Sequence, residues 1–299
     1  MQRIAVLLAG LAILPGGRGT AQQAAGTALW RLAATTLPLP PALATGTAAV
    51  FWNPAQIEDS ARTQLGIEGI QTPAAIGASG MLAAIRVRAG RVGQIGFVYG
   101  HVGLSDLTRT GDSPDPLGGD VPVYTRAFGA TWSRPVAGVA LGTTLAYHET
   151  RLDAVQVTRW TFDIGASREI APGLRVAAAT HFFSSFSTSD PAQDVYAGVE
   201  YRLWQGPLWG DRGAVRGRYG IAFGHGFTPD HQFGAGFELG RVLAFDVAVT
   251  REGSYGTEGW RGAAGFRVTI GKYRVTLARD AGVNELGSAY RVGVDARFR

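Results

Sequence analysis

A period of two, sustained over most of the chain, limits the fold more than any other feature. From Thr63 to the end, apolar residues alternate with small, polar or charged ones, and no apolar stripe at helical spacing appears. Val139, Leu141, Thr143, Leu145 and Tyr147 alternate with Ala140, Gly142, Thr144, Ala146 and His148. Trp260, Ala264, Phe266, Val268 and Ile270 alternate with Arg261, Ala263, Gly265, Arg267 and Thr269. The pattern predicts 14 strands, at 63–70, 79–88, 92–103, 122–134, 139–148, 157–168, 173–183, 194–203, 215–225, 231–239, 242–251, 259–270, 273–280 and 288–298. Most approach the roughly 9–11 residues that a tilted membrane strand requires. No strand-helix-strand rhythm appears, which argues against a parallel α/β sheet.

Connection lengths give a second signal. Links after even-numbered strands are short, and links after odd-numbered strands are longer, including 71–78, 104–121, 149–156 and 184–193. Short turns on one rim and longer loops on the other are the pattern of an outer-membrane barrel. One link breaks the rule: 204–214, with Trp204, Pro207 and Trp209, is too long for a turn. A soluble β-sandwich alternates as well, but its outer face is heavily charged. Here only 17% of residues are charged, and the non-apolar face is mostly Gly, Ala and Thr, with scattered Arg or Asp. The expected fold class is all-β: a transmembrane antiparallel up-and-down barrel of about 14 strands.

The chain begins like a secreted protein. Arg3 precedes an apolar run from Ile4 to Leu14, Pro15-Gly16-Gly17 breaks it, and Gly19-Thr20-Ala21 forms a small-x-small cleavage site. Residues 1–21 are therefore expected to be a signal peptide, 22–62 a separate N-terminal segment and 63–299 the barrel. Removing Arg3 and Arg18 brings the net charge from +5 to +3, too modest for a nucleic-acid binder, and no nucleic-acid partner is expected. Cys is absent, so there is no disulfide, thiolate metal site or lipoprotein anchor.

Residues 22–62 show no period-two pattern and are too apolar to remain solvated. Ala24 to Leu37 could form a short helix, ended by Pro38, Pro40 and Pro41. Such a segment in front of a barrel is expected inside its lumen. It ends in Phe51-Trp52-Asn53-Pro54-Ala55, where Pro54 fixes the turn and Phe51 and Trp52 project from its corner. A small-residue run leading into this motif, followed by a polar stretch and the first strand, resembles the N-terminal hatch of the FadL-like outer-membrane proteins. These include the long-chain fatty acid transporters and the PorV/PorQ proteins associated with type IX secretion. The resemblance implies a 14-stranded barrel with an N-terminal plug, the hatch motif Phe51–Ala55 being its most specific part. In the fatty acid transporters a kink in the third strand opens the wall sideways, which makes Gly96 and Gly100 candidate gate residues here. Family members are usually longer, and this chain lacks their large extracellular loops.

The last strand resembles the signal read by the barrel-assembly machinery, an expected partner, through Tyr290, Gly293 and Phe298. It departs from that signal at Ala296 and by ending on Arg299. With the apolar face toward outer-membrane lipid, the charges fall inside, Arg159, Arg202, Arg218 and Arg267 among them. They are read as wall-stabilising ion pairs or as a cationic lumen favouring anionic solutes. Arg126 is ambiguous, since it shares a face with Phe128 and Trp132. His225 and His231 flank one loop without ligand spacing, and no cofactor or metal is expected. His181 and Ser184 lie close together, but no Gly-x-Ser-x-Gly elbow occurs and no acidic residue is placed to orient the imidazole, so an enzyme is not expected. Two functions follow: a plugged bacterial outer-membrane channel for small hydrophobic or amphipathic, fatty-acid-like solutes, or a barrel that binds secretion-system proteins or their cargo.

Overall fold

The computed structural model describes residues 25–56, 61–73, 76–110, 116–183, 193–224, 228–253, 259–282 and 287–298. The expected leader 1–21, Ser184 and His225 lie outside them. Helix α1 (Ala25–Thr35), a 3₁₀ turn (Pro41–Leu43) and helix α2 (Thr47–Trp52) precede the strands. The strands are β1 (Thr63–Gln71), β2 (Ala78–Arg88), β3 (Gln94–Leu104), β4 (Thr108–Thr110), β5 (Pro116–Asp120), β6 (Val123–Val136), β7 (Val139–Leu152) and β8 (Val155–Ala171). They continue as β9 (Leu174–Phe183), β10 (Asp194–Leu208), β11 (Asp211–Gly224), β12 (Asp230–Leu239), β13 (Leu243–Glu252), β14 (Gly259–Ile270), β15 (Tyr273–Asp280) and β16 (Ala289–Phe298).

All but β4 and β5 form one closed antiparallel barrel of 14 strands, each paired with its neighbours in chain order. The β4–β5 hairpin belongs to the loop between β3 and β6. The seam closes between β1 and β16, from Thr63↔Phe298 to Gln71↔Tyr290. Each of the expected strands is present. The 204–214 exception dissolves, because β10 and β11 run on to a two-residue turn at Trp209 (φ 49°) and Gly210 (φ 81°). Positive φ at both central residues is the tight-hairpin geometry whose twist suits flanking strands. A bulge between Arg202 and Trp204 absorbs the change of register. The long link expected at 149–156 is likewise a short turn, at Asp153 and Ala154.

Exposure follows the alternation in the sense opposite to a soluble protein. In β13, Leu243, Phe245, Val247 and Val249 are exposed, while Ala244, Asp246, Ala248 and Thr250 are buried. In β16, Tyr290, Val292 and Val294 face outward and Arg291 and Asp295 inward. A wall apolar outside and polar inside matches hydrocarbon around it. Arg126 is corrected by the fold: it lies on the outer face of β6 near the loop rim, 2.6 Å from Glu149 and beside the Tyr124 ring. A rim position spares it the cost that a charge pays at mid-membrane.

The core is built by the N-terminal segment. Leu29, Trp30, Leu37, Leu43, Val50, Phe51 and Trp52 cluster with the inward residues Leu82, Val98, Val102, Phe182 and Tyr196. Glycines of the wall make room for it. A Cβ on Gly100 would lie 2.5 Å from Trp30, one on Gly198 2.9 Å from Leu43, and one on Gly142 2.3 Å from Pro54. Residues 27–56 therefore lie inside the barrel.

Candidate functional site

Three anchors hold the inner segment. The Ala-rich α1 ends before Leu37-Pro38, and Arg291 of β16 closes its last turn by donating to Ala33 O (2.7 Å) and Thr36 Oγ1 (2.9 Å) while pairing with Glu68. At the start of α2, Thr47 donates through N (3.1 Å) and Oγ1 (2.7 Å) to Asp295, and Ala48 N donates to Glu68 (3.0 Å). Wall carboxylates thus stand in for the missing N-cap side chain.

The third anchor is the Asn53 corner. Asn53 is fully buried; its Nδ2 donates to Ala42 O (2.7 Å), and its Oδ1 accepts from Ala55 N (3.0 Å) across Pro54. Gln56 Nε2 also donates to Ala42 O (2.8 Å). Arg86 donates to Gln56 O (2.7 Å), and Arg175 to Gln56 Oε1 (3.2 Å), which fixes the corner to β2 and β9.

Phe51 and Trp52 project from this corner into a ring cluster. Phe51 lies 4.5 Å from Trp30 and 4.8 Å from His181, and Trp52 lies 5.9 Å from Tyr196. A bulge makes the cluster possible: Phe162 pairs with Phe183 and Ile164 with Thr180, so His181 and Phe182 together oppose Asp163. Phe182 takes a φ of 63°, and both residues of the bulge are buried. Asp163 accepts from Phe182 N (2.7 Å), and its Oδ2 lies 2.7 Å from His181 Nδ1. This corrects the reading that no acid orients His181; Asp163 does so across the strand pair. His181 and Asp163 are buried, at 1% and 2% exposure, and the paired imidazole packs against Phe51 and Trp52.

The remaining sequence candidates fall in different places. Arg218 sits mid-wall, 2.6 Å from Glu200 and 2.5 Å from Asp246, and Arg175 and Arg216 also reach Glu200. Arg159 is inward on β8 opposite His148. Arg202 is at the turn rim, donating to Gln205 (2.8 Å). Arg267 reaches the inner segment at Thr45 Oγ1 (3.2 Å) and lies 3.6 Å from Asp246 on the neighbouring strand β13. Tyr290 and Phe298 face outward, while a Cβ on Gly293 would lie 2.9 Å from Glu68. Gly96 and Gly100 do not mark a break in the wall. Strand β3 pairs without interruption with β2 and β6, and these glycines admit Thr131 and Trp30, respectively. His231 Nδ1 lies 2.8 Å from the Tyr219 hydroxyl, and no group suited to a metal occurs among the described residues.

The lumen is not wholly filled. On the loop side a pocket of about 90 Å³ lies between α1, Pro40 and Pro41 on one side and β10–β14 on the other. Arg31, which sequence reasoning passed over, donates to Asp194 there (Nη2 to Oδ1, 2.5 Å), and Tyr196 donates to the same carboxylate (3.1 Å). Below Leu37, Pro38 and Leu39 a gap of about 40 Å³ reaches Arg267 and Arg274. Arg267 and Arg274 also line a separate basin of about 950 Å³ at the turn rim. Pro38 packs on Gly265 and Pro40 on Gly220, so the stretch Leu37–Pro41 stands between the loop-side pocket and the spaces below.

A closed barrel, apolar outside and with an occupied but incompletely filled lumen, defines the class: an outer-membrane-type antiparallel β-barrel. No protein-family profile matches the sequence, and no curated protein matches it. Solved structures match the fold. The Pseudomonas putida toluene transporter TodX aligns at a TM-score of 0.54 and 11% identity, over 86% of this chain and 95% of that one. The Ralstonia pickettii toluene transporter TbuX aligns at 0.52 and 14% identity, over 85% and 94%. A TodX variant described as a monoaromatic hydrocarbon channel gives 0.55 and 10% identity, over 85% and 95%. At these identities the likeness is one of fold.

Proposed function

We propose that this protein is a bacterial outer-membrane channel for small hydrophobic or amphipathic solutes, with residues 1–21 a secretory leader and 22–62 a plug of the FadL-like kind. The observation that carries the reading is the stretch Leu37–Pro41, with space on both sides of it inside the barrel. The fold shared with toluene transporters supports the same solute class. As it stands the loop-side pocket, about 90 Å³, is smaller than the ~150 Å³ apolar cavity that accommodates benzene, so passage requires the barrier to move. Solutes enter from the loop side, displace Leu37–Pro41 from its glycine seats, and leave through the turn-side basin. In this reading the moving part is the proline stretch, and the Asn53 corner stays in place.

Uptake of toluene and of a medium-chain alkyl carboxylate into proteoliposomes, compared with a variant lacking residues 22–55, tests the reading. The variant should conduct faster than the intact protein. If neither form passes either solute, the channel reading fails. The firm anchoring of the inner segment at Asp295, Arg291 and Asn53 favours a second reading, a static plug in a PorV/PorQ-like barrel that binds secretion proteins or their cargo. Co-purification of such proteins with a non-conducting barrel would select it.

A further inference from the structure

The sign of the lumenal charge reverses along the barrel axis. The loop-side pocket is lined by Arg31 and Arg261 against Asp194, Asp230 and Glu252. The turn-side basin is lined by four arginines, Arg241, Arg267, Arg274 and Arg297, against the carboxylate of Glu238, with Lys272 at its edge. That carboxylate is already engaged by Arg216 at 2.8 Å. Asp246, above the basin, is held by Arg218 at 2.5 Å and reaches Arg267 only at 3.6 Å. A further recess of about 510 Å³ continues the basin beneath β10–β12, where Arg202, Arg212 and Arg216 outnumber Asp211 and Glu238.

Alternation and turn chemistry build this arrangement. Arg267, Arg274 and Arg297 occupy inward positions on β14, β15 and β16, with Arg274 paired across to Asp295. Arg241 and Lys272 sit in the tight turns that close the β12–β13 and β14–β15 hairpins. The Lys272 ammonium lies over the outward-facing rings of Tyr273 (5.3 Å) and Phe298 (4.9 Å), so it stands on the outer rim beside the basin and the four arginines are the cations that face the space. Like charges gathered around a concave, low-dielectric space focus the field into it. Guanidinium groups present paired donors that match the geometry of an oxyanion. Four guanidinium groups outnumber the acids at their inner edge, Glu238, Asp246 and Asp295, and converging guanidinium groups suit a multiply charged group better than a single carboxylate.

We propose that the turn-side basin is a phosphate-binding site, taking the phosphate of a small soluble molecule or of a lipid headgroup. It requires no transport, and its test is a binding measurement. Pyrophosphate is titrated calorimetrically into the full-length protein in a neutral detergent. In a second arm the protein is reconstituted with zwitterionic lipid plus a minor anionic phospholipid, and retained lipid is identified by native mass spectrometry. Saturable pyrophosphate binding, weakened about tenfold in Arg241→Gln/Arg274→Gln, supports a soluble phosphate. Selective retention of the anionic lipid, lost in the same variant, supports a headgroup. Arg134→Gln/Arg168→Gln, two exposed outer-face arginines at other turns, should leave both readouts unchanged. Glu238→Gln, which removes the basin's own acid, should tighten binding about threefold, a gain that misfolding cannot produce. The proposal is overturned if neither probe binds saturably, or if the control pair weakens binding as much as the basin pair.

Discussion

Two parts of the inner segment, a dozen residues apart, are held in opposite ways. The corner at Asn53 is tied by hydrogen bonds in every direction, to Ala42, Ala55, Gln56 and, through Gln56, to Arg86 and Arg175. The stretch Leu37–Pro41 carries three prolines, which have no N–H to satisfy, and it rests on Gly265 and Gly220 by apolar contact, with one side-chain tie to the wall, from Gln232 to Leu37 O. Moving the corner strands buried polar groups, at a cost of about 1–3 kcal/mol each. Moving the proline stretch costs mainly its buried apolar area, roughly 25 cal/mol per Å². The first part is an anchor and the second the place where the barrier yields.

The largest effect is expected at the anchor. Trp52 is fully buried against Phe51, His181 and Tyr196. Trp52→Ala should lower stability by about 3–5 kcal/mol, read as a shift of the urea midpoint of the folded gel band. A loss below about 1 kcal/mol would mean that the ring cluster does not hold the segment. Asn53→Ala comes next. It removes a donor to Ala42 and an acceptor for Ala55 N, and should cost about 1–3 kcal/mol in the same assay. Neither change should raise solute flux as much as a change at the barrier does. If the Asn53 variant proves the leakier, anchor and barrier exchange places.

Pro40→Ala reverses the balance. Losing two ring methylenes from the Gly220 seat, and the rigidity of proline, should cost about 1–2 kcal/mol. Flux of toluene into proteoliposomes should nevertheless rise severalfold, since the barrier loosens while its anchors stay.

The strands were legible because lipid outside and a polar lumen inside impose the same alternation on every one of them. The rims were less so. At 149–156 and 204–214 the sequence suggested loops, whereas Asp153 and Trp209 take positive φ and close tight turns that their side chains do not advertise. The apolar bulk of residues 22–62 pointed to the lumen, but not to which wall residues would hold it. Arg31 meets Asp194 across 163 positions, and Asp163 reaches His181 only because Phe182 adopts a left-handed backbone. Neither event has a local marker. Gly100 shows a different limit: a glycine that permits a bend looks the same in sequence as one that admits an indole ring. The basin was hidden for a third reason, since its arginines are spread over three strands and a turn and meet only when the barrel closes.

The smallest predicted effect tests the barrier most directly. Gln232 Nε2 donates to Leu37 O at 3.2 Å, a side-chain tie from β12 to the first residue of the proline stretch. Both groups are near the loop-side pocket, which Gln232 also lines, so water can replace the bond when it is lost. Gln232→Leu should therefore cost less than about 1 kcal/mol of stability. Flux should still rise by about twofold, because a tie worth so little at equilibrium opposes the displacement that a passing solute requires. Gln232→Glu keeps an acceptor but removes the donor and should behave like the leucine variant. If instead Gln232→Leu leaves flux unchanged while Pro40→Ala raises it, the barrier pivots below Leu37, and its moving part is confined to Pro38–Pro41.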